Sequence, residues 1–298
     1  MQLINIKAID KNLARNTEPF KLNEEIFRSI SNFILAVRLQ EGHTEREILA
    51  RMRLKDKRSK EFASVSEALK KAEQDHPGVV FWGGKCYDEK DLKILISIIA
   101  NLTNNTLSEL PKTVNVISSN HHTNLCSNFA PLEIEINTGW CGYQYCPNMK
   151  FKTVEAFIQY LKLPFSSELK EEIANFSGRK AKTVGSEINR ILLAFNKPPL
   201  IYFAGQEIPF NSKEHKDLIF QAIKDKFRIH TAAQDQLLKT FGKTITHITK
   251  GAPSDFTSLT TDEFVELLDS IRLELVKKRF PALLDEKENV KFTIDKLN

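Results

Sequence analysis

Residues 151–158, Phe151-Lys152-Thr153-Val154-Glu155-Ala156-Phe157-Ile158, repeat the pattern of an earlier segment, Phe27-Arg28-Ser29-Ile30-Ser31-Asn32-Phe33-Ile34. Two further matches follow in the same order, Val79–Gly84 with Leu200–Gly205 and Asp91-Leu92 with Asp217-Leu218. The three offsets are 124, 121 and 126 residues. Ordered matches of this kind favour a tandem duplication, and chance similarity between amphipathic helices is the alternative.

The local patterns predict the same series of elements in each copy: a strand, an amphipathic helix, two shorter helices, a short apolar segment and a long helix. In the second copy Val154, Phe157, Ile158 and Leu161 form one apolar helix face, which predicts a helix over 151–163 matching one over 27–39. The other predicted elements are strands at Leu3–Lys7, 113–117 and 132–136, and helices at 44–54, 64–74, 166–176, 180–195, 88–102, 212–227 and from 261, the last with a Thr260/Glu263 capping box.

These elements predict a helix-rich α+β fold with little β structure. We divide the chain into a degenerate first copy at 1–112, a second copy with the active site at 113–280, and a charged C-terminal tail at 281–298. The two copies could pack together as an intramolecular pseudo-dimer.

Composition limits the functional classes. Hydrophobic residues make up 41% and charged residues 27%, which is typical of a globular chain. No apolar run approaches the ~20 residues of a membrane helix, and the start lacks a signal-peptide pattern, so we expect a cytoplasmic protein without membrane contact. A net charge of +5 favours anionic small molecules over a dedicated DNA-binding surface.

A polar stripe runs beside the apolar face of the second-copy helix. Glu155, Gln159 and Lys162 occupy positions i, i+4 and i+7, a set suited to holding a sugar or a developing cation next to a phosphate. A solvated helix flank is the alternative. The first copy has Ser31, Leu35 and Arg38 at these positions, so it loses the carboxylate and the amide. The basic segment 177–185, with Arg179 and Lys182 at a predicted helix start, would suit a phosphate.

In combination these motifs resemble the NADAR family of NAD- and ADP-ribose-associated proteins over about residues 113–280. The resemblance rests on Ser127-Asn128-Phe129, then Thr153-Val154-Glu155 with Gln159 and Lys162, and then Gly178-Arg179-Lys180. It departs from the family pattern at Ala156, near Asn211 and at His247, and the family's aromatic C-terminal motif is reduced to Asp255-Phe256.

The resemblance implies hydrolysis of an N-glycosidic bond without a cofactor. The substrate would be a phosphorylated ribosyl small molecule, such as a phosphoribosylated pyrimidine intermediate, or an ADP-ribosylated nucleic acid. Glu155 would stabilise the ribosyl cation or activate water, and Asp255, or alternatively His247, would assist the leaving base. The substrate-binding residues would be Asn128, Phe129, Gln159, Lys162, Arg179 and Lys182.

Two other functional classes stay open. The altered C-terminal motif favours a sensor that binds NAD or ADP-ribose without turnover, and a scaffold is the third possibility. His121, His122 and three cysteines between 126 and 146 lack the paired spacing of a structural zinc site, so we expect no metal and free thiols instead.

Overall fold

The computed structural model describes residues 19–52, 60–107, 112–138, 140–141, 144–145, 148–194, 199–248 and 257–294. These residues divide into two compact units. Unit 1 takes the residues up to Thr113, Leu238–Thr244 and those from Leu273 onward, and unit 2 takes Val114–Leu237 and Ile245–Arg272. The predicted strand Leu3–Lys7 lies outside the described residues.

Unit 1 is built from short strands and longer helices. Its elements are β1 (Phe20–Leu22), β2 (Glu25–Phe27), α1 (Ile30–Ala36), α2 (Thr44–Arg51), α3 (Lys60–Asp75), β3 (Val80–Trp82), β4 (Lys85–Tyr87) and α4 (Glu89–Leu107). A continuous core of aromatic and aliphatic side chains joins them, including Phe20, Phe27, Phe33 and Trp82, all of which are at most 1% exposed.

The chain after residue 280 belongs to unit 1. We predicted a charged tail from 281, but Pro281–Leu283 forms a 3-10 turn with Leu283 buried, and β13 (Phe292–Ile294) pairs with β1. The strand order is β13-β1-β2, with Phe20 opposite both Ile294 and Phe27. The charged composition of 285–298 did not reveal this edge strand because a strand of three residues carries almost no periodic signal.

Unit 2 is likewise built from short strands and helices. After β5 (Thr113–Asn115) its elements are β6 (Ile134–Ile136), β7 (Trp140–Cys141), β8 (Gln144–Tyr145), β9 (Met149–Phe151), α5 (Val154–Leu161), α6 (Leu169–Ala174), α7 (Gly178–Ala194), β10 (Leu200–Phe203), β11 (Gln206–Pro209), α8 (Lys213–Ile229), α9 (Thr231–Leu238) and β12 (Thr244–Thr246). Strands β6 and β9 pair antiparallel, as do β10 and β11.

The last helix, α10 (Thr261–Arg279), begins with the predicted capping box. Glu263 N donates to Thr260 Oγ1 at 3.2 Å, and Thr260 N donates to Glu263 Oε2 at 2.9 Å. The order of helices and short strands confirms the helix-rich α+β class.

Among the helices within the described ranges, none is long and apolar enough to cross a membrane.

Several local contacts recur in the two units at equivalent places. In each unit a buried cation in the second helix donates to two backbone carbonyls, one after the first helix and one in the hairpin. The bonds are Arg46 NH1 to Leu39 O and Phe81 O, both 2.7 Å, and Lys170 Nζ to Leu163 O and Tyr202 O, 2.6 and 3.1 Å.

The first helix of each unit is also anchored in the same way. Ser29 and Thr153 accept from the backbone N–H groups of Asn32 and Ala156 as N-caps. Edge-to-face aromatic pairs then fix each helix to the strand before it: the ring centroids are 5.1 Å apart in both Phe27–Phe33 and Phe151–Phe157.

The first helices are shorter than predicted. α5 covers Val154–Leu161 and α1 covers Ile30–Ala36, because Phe27 and Phe151 end strands and the capping residues follow them. An apolar residue before an N-cap fits the helical period equally well, so periodicity alone extends the helix too far.

Candidate functional site

Helix α5 carries its polar side chains into the interior of unit 2. Every residue from Val154 to Leu161 is buried, including Glu155 at 5% and Gln159 at 1% exposure. The alternative that Glu155, Gln159 and Lys162 form a solvated helix flank is therefore wrong, because all three are buried. Buried polar groups of this kind require partners, and their surroundings define the candidate site.

Glu155 and Gln159 form a buried carboxyl–amide pair. Gln159 Nε2 donates to Glu155 Oε1 at 2.8 Å, one helical turn apart. The other amide atom, Gln159 Oε1, is buried and has no hydrogen-bond partner among the described residues. An unpaired buried acceptor of this kind is costly, so it is a candidate contact for a ligand donor.

Helix α7 approaches this pair through a glycine. A Cβ atom at Gly185 would lie 1.8 Å from Gln159 Oε1 and 2.2 Å from its Cδ. Only hydrogen on that face of α7 leaves room for the amide. The glycine at 185, which the sequence placed only in a basic segment, thus lets α7 pass directly over Gln159.

Two lysines act electrostatically on the carboxyl group. Lys182 Nζ on α7 lies 3.9 Å from Glu155 Oε1, and the Lys182 side chain is 56% exposed. Lys162 ends α5, is 4% exposed, and donates to Asn189 Oδ1 at 3.1 Å. Two ammonium groups beside one carboxyl leave a local excess of positive charge if all three ionise, which suits a phosphate.

Burial sets the protonation of this cluster. It raises the pKa of Glu155, while the charge of Lys182, the hydrogen bond from Gln159 and the charge of Lys162 pull that pKa down. Burial, followed by repulsion from Lys182, lowers the pKa of Lys162 to about 8. A carboxyl whose pKa is raised by burial can exchange a proton during a reaction, which is the property of a general acid or base.

A buried histidine adjoins Lys162. His215 is fully buried, and its Nδ1 accepts the backbone N–H of Asn211 at 3.0 Å, so the neutral ring carries its proton on Nε2. That Nε2 has no partner within the described ranges. Burial, with the charges of Lys162 and Lys216, lowers the pKa of His215 to about 4. The ring of Phe210 packs against His215 at 4.7 Å and has Lys162 Nζ 5.8 Å from its centroid.

The loop before β6 contributes from the other end of α5. Asn128 O accepts the backbone N–H of Glu155 at 3.0 Å, and Asn128 Oδ1 is buried without a partner among the residues described. Phe129 packs under α7, where a Cβ atom added at Gly178 would lie 2.5 Å from the Phe129 Cα. The fully buried Lys226 holds this loop, donating from Nζ to Cys126 O at 2.8 Å and Ser127 O at 3.2 Å.

The structure brings together some of the predicted residues and not others. Glu155, Gln159, Lys162 and Lys182 form one cluster. The carbonyl oxygen of Asn128 accepts a hydrogen bond from the backbone N–H of Glu155. Arg179 is exposed on the first turn of α7. Asp255 lies outside the described residues. The alternative, His247, bonds Val116 O through Nδ1 at 2.7 Å and packs against Phe264.

Sequence reasoning missed His215, Asn189 and Phe210. They come from α7, α8 and the turn after β11, and no local spacing connects them to Glu155 or Lys162. A buried His on α8 is visible only as a polar residue on an otherwise apolar helix face, which is a weak signal.

Cys126 is a packing residue in this region. It is a free, fully buried thiol, and burial raises its pKa to about 11. Such a thiol is unreactive and packs as a small apolar side chain. Cys146 lies outside the described residues.

The fold and the cluster define unit 2 as a helix-rich α+β unit with a buried carboxyl, amide and ammonium site. A family model described as "Bacteriophage protein GP30.3" matches residues 138–273, which contain β9, α5, α7 and the whole carboxyl cluster. No curated protein and no solved structure matches the chain.

The expected membership of the NADAR family is therefore wrong, because the family model that matches is the phage one. The shared motifs were short, and several positions departed from the pattern, among them Ala156 and His247. A helix with a buried Glu, a Gln one turn later and a Lys at its end is a local solution that does not identify a family.

Proposed function

We propose that unit 2 is a hydrolase that cleaves the N-glycosidic bond of a phosphorylated ribosyl compound. The observation that carries the proposal is the buried Glu155 carboxyl, held by Gln159 and flanked by Lys162 and Lys182. The candidate substrates are a phosphoribosylated pyrimidine intermediate and an ADP-ribosyl group on a nucleobase. The similarity to a bacteriophage family favours phage infection as the first setting to study.

The chemistry follows from the charge that develops on the sugar. Breaking the C1′–N bond leaves positive charge on the ribose, and a fixed carboxylate stabilises that charge. Glu155 accepts a proton from the attacking water, the remaining hydroxyl adds to C1′, and the leaving nitrogen ends with a proton. Asp255, or alternatively His247, stays the predicted donor of that proton.

The cations and amides would bind the rest of the substrate. Lys162 and Lys182 suit the phosphate, with Arg179 reaching it from the exposed start of α7. The two unpartnered buried oxygens, Gln159 Oε1 and Asn128 Oδ1, can accept hydrogen bonds from ribose hydroxyls or from the base. The His215 Nε2–H is a further donor in the same region.

The second candidate is a sensor that binds such a ligand without turnover. The burial of Glu155 favours it, because the side chain is only 7% exposed and Lys182 stands beside it. In this case the carboxyl would recognise a ligand donor, and water would have no access to C1′.

One panel of compounds separates the two candidates. The full chain is incubated with NAD, an ADP-ribosylated nucleoside and a ribosylaminouracil phosphate, and free base is measured by chromatography. Release of base from any of them supports the hydrolase. Thermal stabilisation without released base supports the sensor. If a compound causes neither base release nor stabilisation, the scaffold is favoured.

We also propose that the two units are diverged copies of one ancestral unit in a cytoplasmic protein. The recurring cation–carbonyl bonds, N-caps and aromatic pairs support the duplication, since they connect equivalent elements in the same order. An experimental structure in which α1 does not superpose on α5, once each unit's hairpin is aligned, would end this proposal.

A further inference from the structure

Unit 1 contains a cavity that the proposed hydrolase site does not use. It has a volume of about 470 Å³ and lies between the end of α1, the start of α2 and the face of α3. The cavity is lined by Arg38, His43, Ser64, Lys71, His76 and Phe81, among others. This volume is within the range of small-molecule sites in proteins.

The floor of the cavity is a buried guanidinium group. Arg38 is 5% exposed, and its Nε has no hydrogen-bond partner among the described residues. Its nearest carboxylate is Glu73, 3.5 Å from NH1 and itself half exposed. Burial lowers the pKa of Arg38, while the charges of Glu73 and Glu89 raise it. A buried guanidinium group that lines a cavity and has an unpaired N–H can donate a hydrogen bond to an anionic ligand.

The rim has mixed charge. Lys71, His43 and His76 supply donors, and Glu45, Glu67 and Asp75 supply acceptors. Glu45 is already engaged by His43 at 2.7 Å and Ser64 at 3.0 Å. The Phe81 ring lies in edge contact with His76, with the centroids 5.5 Å apart. A ligand with an anion at one end, hydroxyl groups in the middle and a planar ring fits this arrangement.

The cavity also has a counterpart under the proposed duplication. Arg38 stands in unit 1 where Lys162 stands in unit 2, at the end of the first helix. Ser31 stands where Glu155 does, so unit 1 keeps the cation and lacks the carboxylate. A site of this kind can bind the same chemistry and cannot cleave it.

We propose that the unit 1 cavity binds a nucleoside phosphate without turnover, with the phosphate on Arg38, the ribose hydroxyls at the acidic rim and the base against Phe81. The binding does not depend on hydrolysis in unit 2.

The test is calorimetric titration of the full chain with 5′-AMP, adenosine and inorganic phosphate. We expect AMP to bind more tightly than either fragment, and Arg38→Gln to weaken one AMP-binding event about tenfold or more, as expected for loss of a charged hydrogen bond. Lys182→Met, in unit 2, should leave that event unchanged. If only Lys182→Met weakens AMP binding, or if AMP does not bind, the proposal is wrong, whatever the hydrolysis assay shows.

A second variant avoids the buried position. Lys71→Glu reverses an exposed rim charge and should weaken AMP binding, whereas Lys70→Glu, the exposed neighbour that does not line the cavity, should not. Equal AMP affinities in these two variants would overturn the proposal even if Arg38→Gln fails to fold.

Discussion

Burial and neighbouring charges have opposite effects on the Glu155 carboxyl group. Burial favours its neutral form, and Lys182, Gln159 and Lys162 favour its ionised form. The net effect raises its pKa, so the folded chain holds the proton to a higher pH than the unfolded chain does. Its stabilising contribution is therefore complete below the unfolded pKa and is lost as the pH rises through the folded pKa.

This sign gives a prediction for Glu155→Gln. The variant keeps the acceptor for Gln159 and cannot ionise, so its free energy of unfolding should rise relative to the parent between pH 4 and pH 8. Urea denaturation at both pH values measures the difference, and Glu171→Gln, on an exposed position of α6, controls for the lost negative charge. A variant that becomes relatively less stable with increasing pH would mean that the buried carboxylate stabilises the fold.

At the scale of elements, the crossing of α7 over α5 depends on Gly185. An exposed helical Gly→Ala change usually stabilises by about 0.5–1 kcal/mol. Gly185→Ala should do the opposite and cost about 1–3 kcal/mol, because the new methyl group meets the buried Gln159 side chain. Hydrolysis should fall as well, since Gln159 would be displaced from Glu155.

Thermal unfolding and base release measure both effects. Ser186→Ala, the exposed neighbour on α7, is the control and should change neither. Full activity and parental stability in Gly185→Ala would show that Gln159 can move without consequence and has no role in the site.

The cation–carbonyl bonds of α2 and α6 give a second prediction at this scale. Arg46→Met and Lys170→Met each leave two carbonyls without their buried donor, and Arg46→Met also unpairs Glu25. We expect each to cost about 2–5 kcal/mol of unfolding free energy. Denaturant titration against the exposed controls Arg51→Met and Lys224→Met tests this, and losses near zero would remove these bonds from the account of the fold.

At the scale of the whole molecule, the sequence predicted the helices well, because apolar periodicity over ten or more residues is a strong signal. The α10 capping box, for example, was correctly predicted at both of its hydrogen bonds. The strands were harder to predict: β1, β2 and β13 have three residues each, and the pairing of β1 with β13 joins residues that are far apart in sequence.

The site was predictable where it lies on one helix and not where it combines several. Glu155 and Gln159 lie on α5 and Lys162 is its C-cap, and their spacing alone placed them on one stripe. Asn189 on α7 and His215 on α8 join them only through tertiary packing. The resemblance to the NADAR family was wrong for a related reason, because short motifs reflect local helix structure and do not identify a family.

The rates of base release by the wild-type chain and by Glu155→Gln decide whether the Glu155 carboxylate takes part in the reaction. On whichever N-ribosyl phosphate the wild-type chain cleaves, we predict that the variant binds the substrate but releases base about 10²–10³-fold more slowly, because a preorganised charge is lost. Glu171→Gln should keep the full rate. A folded Glu155→Gln chain that releases base at the wild-type rate would contradict the account.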